Sequence, residues 1–312
     1  MPGKKQHFIQ QALLKGFSKS KKQIYLYKKN KPNALLVAIK NVAAERFFYG
    51  KEDGVTDSSL TDYENKNADI IKSLQNGIIP KKKENLIRFI QICAFRTKSL
   101  RQKSDYSTKS LLNKFVEEDN LRQVLTNLVE DELKKNSPYF ASIPDEVLIQ
   151  MDANKKEILE NMFCNLKYMS ASVKERIMNT EFGKYAQKKN IPKFTSESFD
   201  LNRLKKNPLF SYTWEILSFN ESIILGDNPV IGIDAEEKHS SLFKGYKDIQ
   251  FVYMPISSSK VLVGKKNANF NYSAAEINTM SASLSHDSFF AADEKQNHLI
   301  NLISTHEKSF FD

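Results

Sequence analysis

The hydrophobic period changes twice along this 312-residue chain, and that change constrains the fold more than any single motif does. Gln23 to Lys28 (QIYLYK) alternates polar and apolar residues, Lys29 to Asn33 is a polar turn, and Ala34 to Ile39 is a second apolar run. Together they predict a β-hairpin, with a short helix from Gln10 to Phe17 ahead of it. Helical spacing then takes over at Leu60 to Asn76, Glu84 to Lys103, Leu111 to Lys135, Asp145 to Met169 and Val173 to Lys189. After a polar connector (Lys193 to Pro208), short β-rich runs return at Leu209 to Phe219, Ser222 to Leu225, Val230 to Ile233, Ile249 to Tyr253 and Lys260 to Val263. A helix near Ala274 to Leu284, a strand at Ser288 to Ala292 and a helix from Glu294 to Ser304 close the chain. An isolated hairpin does not hold itself together in water, so the N-terminal strands need partners. The chain therefore reads as α+β: an N-terminal β-hairpin joined to a C-terminal, mostly antiparallel sheet, with a large helical insert between. The segments are 1–59, 60–190 and 209–312, in one discontinuous domain, with two separate domains as the competing arrangement.

No apolar run approaches the roughly 20 residues that cross a bilayer, and the polar stretch Met1 to Gln11 occupies the place where a secretory signal has its apolar core. These features place the chain in the cytoplasm, away from membranes. Cys93 and Cys164 sit in apolar helical patterns that suit reduced core thiols. The net charge of +10 is local: the first 50 residues hold eleven Lys or Arg against Glu45 alone, and the remainder carries equal numbers of each sign. Such a field attracts polyanions, nucleic acid first and an acidic protein face second.

Phosphate loops, dinucleotide fingerprints, zinc motifs and nucleophile elbows are all missing from the sequence, so chemistry must rest on dispersed residues. In the opening phrase Lys4-Lys5-Gln6-His7, an imidazole beside two lysines has its cationic form disfavoured, and Gln11 lies one helical turn away. Residues 81–103 form a second basic surface, with Arg88, Arg96 and Lys103 along one helical stripe. Arg96 suits either a bidentate grip on phosphate or an ion pair with Glu64. Asp227-Asn228-Pro229 follows an apolar run, where a carboxylate either projects into a cleft or closes a turn.

Several phrases resemble the family of uncharacterised bacterial proteins known as DUF4238. They are the stretch from Gln6 to Tyr49 with His7, Gln11 and Phe17-Ser18, then Glu64, Phe89 to Arg101, Gly226 to Val230, and Met254 to Ser257. Gln10 stands where members usually carry proline. The resemblance spans nearly the whole chain and implies an association with bacterial accessory and defence-type settings.

The residues lead to an expected nuclease-like phosphodiester hydrolase, acting on RNA or DNA as a toxin or defence effector. His7, Arg96 and Asp227 are its catalytic candidates, around a shared anion-accepting hollow. Lys4, Lys5, Gln11, Arg88, Lys103 and Asn228 would bind substrate, and Glu64 with Asp227 would hold Mg²⁺ or Mn²⁺. The alternative is a non-catalytic module that binds nucleic acid or an acidic protein, with the same residues as a structural network. An enzyme on a small anionic substrate is a third possibility.

Overall fold

A computed structural model of the chain describes residues 5–115 (save 19, 21 and 50–54), residues 205–305 (save 242–248 and 267–268), and residues 175, 176, 179, 191, 192, 195 and 196 between them. The chain divides into two compact units, residues 1–102 with 183–312, and residues 103–182. In the second, the described residues are the later turns of one helix and three helical positions. The predicted helix from Asp145 to Met169 lies outside the described residues, as does Cys164.

The first unit is α+β. Among its described residues there are three antiparallel sheets. The predicted hairpin forms, as β2 (Gln23–Lys28) and β3 (Leu35–Ala38), and it does join the C-terminal part of the chain. Strand β2 pairs with β11 (Ser288–Ala291), which pairs in turn with the two-residue β6 (Leu225–Gly226). Tyr27 and Phe289 are direct cross-strand partners and stack with ring centroids 4.5 Å apart, the kind of pair that fixes a sheet's register. The larger sheet has the order β5-β10-β9-β7-β8, built from Thr213–Ser218, Lys260–Lys265, Ile249–Ser257, Ile231–Asp234 and His239–Ser241. Its central strands β9 and β10 are apolar on both faces and buried, as expected of strands covered on two sides.

Helices α1 (Gln11–Lys15) and α3 (Ala68–Gln75) pack on β9, with α3 burying Ile70, Ile71 and Leu74. The Gln75 amide donates to the carbonyl oxygens of both Ala12 (3.3 Å) and Ile256 (3.1 Å), locking helix, helix and strand together. Helix α6 (Ala274–Ser283) opens with a capping box, in which Ser273 and Glu276 exchange side-chain to backbone hydrogen bonds.

Three sequence expectations need correction. The run Leu60 to Asn76 is two helices, α2 (Val55–Lys66) and α3, broken at Asn67. The run Glu84 to Lys103 is also two helices, α4 (Lys83–Phe95) and α5 (Lys98–Phe115), broken at Arg96-Thr97. The Thr97 hydroxyl accepts from the Leu100 N–H (3.2 Å), so Thr97 caps a new helix instead of extending the old one. Arg88, Arg96 and Lys103 therefore do not share one helical stripe. Finally, the closing helix is a tighter 3₁₀ segment, Asn297–Leu302. The sequence also hid a third sheet, made of β1 (Lys5–His7) and β4 (Ala44–Arg46).

Candidate functional site

The break between α4 and α5 puts Arg96 at the point where the chain turns, and there its guanidinium points into protein. Arg96 is 3% exposed. Its Nε donates to the Tyr49 hydroxyl (3.1 Å), one terminal nitrogen pairs with the Glu64 carboxylate, and the other donates to the His7 carbonyl oxygen (2.6 Å). The Tyr49 hydroxyl donates in turn to the same His7 carbonyl (3.2 Å). Burial opposes the charge of Arg96, but the Tyr49 oxygen and the Glu64 carboxylate more than offset this and hold the group firmly cationic. One guanidinium thus joins β1, the segment after β4, α2 and the α4–α5 junction. Of the two roles the sequence allowed Arg96, the ion pair with Glu64 is present.

This hub fixes the backbone of His7 while leaving its ring partly accessible. The Gln11 amide nitrogen lies 3.1 Å from Nε2; an amide nitrogen can only donate, so Nε2 carries the lone pair in this arrangement. Nδ1 is buried without a hydrogen bond of good geometry, the Val42 carbonyl lying near enough only to raise the ring's basicity slightly. Burial, then the Arg96 charge, then Lys5 lower the His7 pKa below its ordinary 6.5, against a partial upward pull from Glu64. The imidazole is consequently neutral at pH 7 and able to accept a proton. Beneath it, Gln6 is buried and accepts from the Tyr49 N–H (2.6 Å), so neighbouring residues of one strand serve the fold and the exposed face in turn.

Asp227 has a different environment. It is 2% exposed, and its carboxylate accepts from the backbone N–H groups of His286 (2.6 Å), Asp287 (2.8 Å) and Ser288 (2.9 Å). These contacts stitch the β6 turn to the start of β11. Burial pushes its pKa up to about 6, with the three N–H groups pulling the other way. Asn228 donates to the Leu284 carbonyl (2.6 Å). Gly226 is required here because a Cβ would lie 2.7 Å from the Ser285 hydroxyl and 2.9 Å from the Ser281 carbonyl.

The structure therefore brings His7, Arg96, Glu64 and Gln11 together and turns Asp227 toward a backbone turn. The Lys98 side chain bridges the two places. Lys98, two residues beyond Arg96, pairs with Glu45 and with Asp287 (3.2 Å), whose N–H reaches Asp227. Lys5 is exposed and donates to the Asn41 side chain (3.0 Å). Arg88 lies over the Tyr63 ring and donates to the Ser196 carbonyl, a packing role. Lys4 and the side chain of Lys103 lie outside the described residues. Cys93 is a buried thiol whose pKa burial pushes up to about 12, in keeping with an inert core position.

The donors expected for a divalent ion do not fit one. Glu64 already faces a guanidinium and Asp227 already accepts three N–H groups, and among the described residues no group of three or more His, Cys, Asp and Glu side chains converges.

Sequence reasoning missed Gln6, Tyr49 and Lys98. The first two fall inside the stretch that carries the family resemblance, but their roles depend on two three-residue strands too short to leave a period.

The fold and the hub define an α+β protein organised around one buried arginine and a neutral histidine. The family described as "Protein of unknown function (DUF4238)" matches residues 5–307, and the chain belongs to it. No curated protein and no solved structure matches the chain.

Proposed function

We propose that this protein is a nucleic-acid-directed phosphodiester hydrolase of the cytoplasm, with His7 as its proton acceptor and the Arg96 hub as the frame that positions it. One observation carries this reading: a partly exposed imidazole, kept neutral by burial and neighbouring cations, has its backbone clamped by a buried guanidinium. In the proposed step a water attacks phosphorus while its proton passes to the Nε2 lone pair, displacing the Gln11 amide. The phosphorus bond to the leaving sugar oxygen breaks, and that oxygen takes a proton from solvent. Arg96 is here a positioning residue, since each of its three nitrogens already has a protein partner. The basic N-terminal region supplies the attraction for the nucleic-acid backbone.

The competing module that binds without cleaving is favoured by a specific fact, the engagement of every Arg96 nitrogen and both Asp227 oxygens by protein groups. The two readings part on one experiment. Purified protein is incubated with mixed RNA and DNA, with and without EDTA, beside a His7→Ala variant. Fragments from the wild type alone support the hydrolase. Binding without fragments under every condition, or equal cleavage by the variant, overturns it. As to cellular role, a toxin or defence effector fits such an activity, and toxicity on expression that vanishes in His7→Ala would support it.

Among the described residues no helix is long and apolar enough to cross a membrane.

A further inference from the structure

The small sheet of β1 and β4 places two cations directly opposite one another. In its antiparallel register Lys5 faces Arg46, Gln6 faces Glu45 and His7 faces Ala44. Directly opposed residues lie on the same face of a sheet, and so do residues two apart on one strand. Lys5, His7, Arg46 and Ala44 therefore share a face, while Gln6 and Glu45 occupy the other. The exposures agree: Lys5 and Arg46 are exposed and Gln6 is buried between Lys5 and His7.

Like charges set directly opposite on a two-stranded ribbon weaken it. This ribbon keeps them while bracketing β4 with left-handed residues that are not glycine, Ala43 (φ 48°) and Phe47 (φ 55°). Such backbone conformations persist where the surrounding structure holds them, and they cluster where ligands bind. Two acids of the region are engaged elsewhere, Glu45 with Lys98 and Glu64 with Arg96. On the shared face the small Ala44 lies opposite His7, and the Gln11 amide reaches the same ring.

We propose that Lys5 and Arg46 form a two-armed clamp for a backbone phosphate of nucleic acid, seated beside His7. An oxyanion between them converts a repulsive pair into an attractive triplet, with the planar guanidinium of Arg46 able to hold two oxygens at once. The clamp deepens the hydrolase reading by naming where the phosphate rests, yet binding there does not require cleavage.

The test uses the full chain and a fluorescent single-stranded oligonucleotide, followed by anisotropy across a salt series, with inorganic phosphate as competitor at matched ionic strength. The Lys5→Gln, Arg46→Gln double variant should bind at least about tenfold more weakly, with the slope of log affinity against log salt reduced by about 0.7, the single-strand value for one phosphate contact. Inorganic phosphate should compete with the oligonucleotide on the wild type. Lys238→Gln, on the turn between β7 and β8, should bind as the wild type does. Because the double variant removes a repulsion, its melting temperature should hold or rise. Unchanged affinity and slope in the double variant would overturn the clamp, as would a fall in its melting temperature. Binding lost in the double variant, in a protein that never cleaves, would leave the clamp standing and remove the hydrolase.

Discussion

Two buried charges organise this protein, and they are satisfied in opposite ways. Arg96 gathers a hydroxyl, a carboxylate and a carbonyl from separate elements, and the strand it grips presents a partly exposed histidine. Asp227 is closed off by three consecutive backbone amides of one turn, and its carboxylate is itself buried. The contrast teaches that burial of a charged residue is not itself a sign of chemistry. What matters is what the neutralising groups hold in place: the hub fixes His7 beside cations that keep it neutral, whereas the Asp227 turn carries His286 already facing the Asp287 carboxylate (3.6 Å).

Truncation should expose the difference most strongly. Asp227→Ala strips three buried or half-buried N–H groups of their acceptor, an unsatisfied buried donor costing about 1–3 kcal/mol, so denaturant unfolding should show a loss of about 3 kcal/mol or more. Arg96→Ala should cost about 3 kcal/mol by the same measurement, and Arg96→Lys should recover little of it, because one ammonium cannot serve three fixed directions. Gly226→Ala drives a methyl against a backbone carbonyl and a buried hydroxyl and should cost about 1–3 kcal/mol. His7→Ala stands at the far end: its ring is partly exposed and makes one side-chain contact, so stability should change by less than about 1 kcal/mol while cleavage is lost.

Titration sharpens the comparison because the two groups have opposite signs. Between its ordinary 3.8 and about 6, Asp227 holds more proton in the folded than in the unfolded state, so its contribution falls as pH rises through that window. His7 has a lowered pKa, so just below 6.5 the unfolded chain binds more proton and stability falls as pH drops. In thermal melts across pH, Asp227→Asn should remove the first slope and His7→Gln the second.

How much of this could be read from the sequence follows from the same physics. The hairpin at 23–38 was legible because alternation and a polar turn act over adjacent residues. The pairing of Arg96 with Glu64 was legible as one of two options, since a scarce arginine among apolar residues needs a partner. The break at Arg96-Thr97 was not foreseen, although a capping threonine was there to signal it, because no glycine or proline marks the stop. Strands β1 and β4, three residues each, leave no period at all, and the arrangement of Lys5, His7 and Arg46 depends wholly on their register. The environment of Asp227 was hidden for a related reason: its partners are backbone amides some sixty residues away, and any side chain at those positions would supply them.

The account depends on His7 being a neutral, proton-accepting imidazole held in place by the arginine hub. An NMR titration of the His7 ring in the full-length protein tests this most directly. The ring should show a transition below 6.5, with the lone pair on Nε2 at neutral pH. A ring that titrates above 6.5, or whose proton sits on Nε2 at neutral pH, would contradict this assignment.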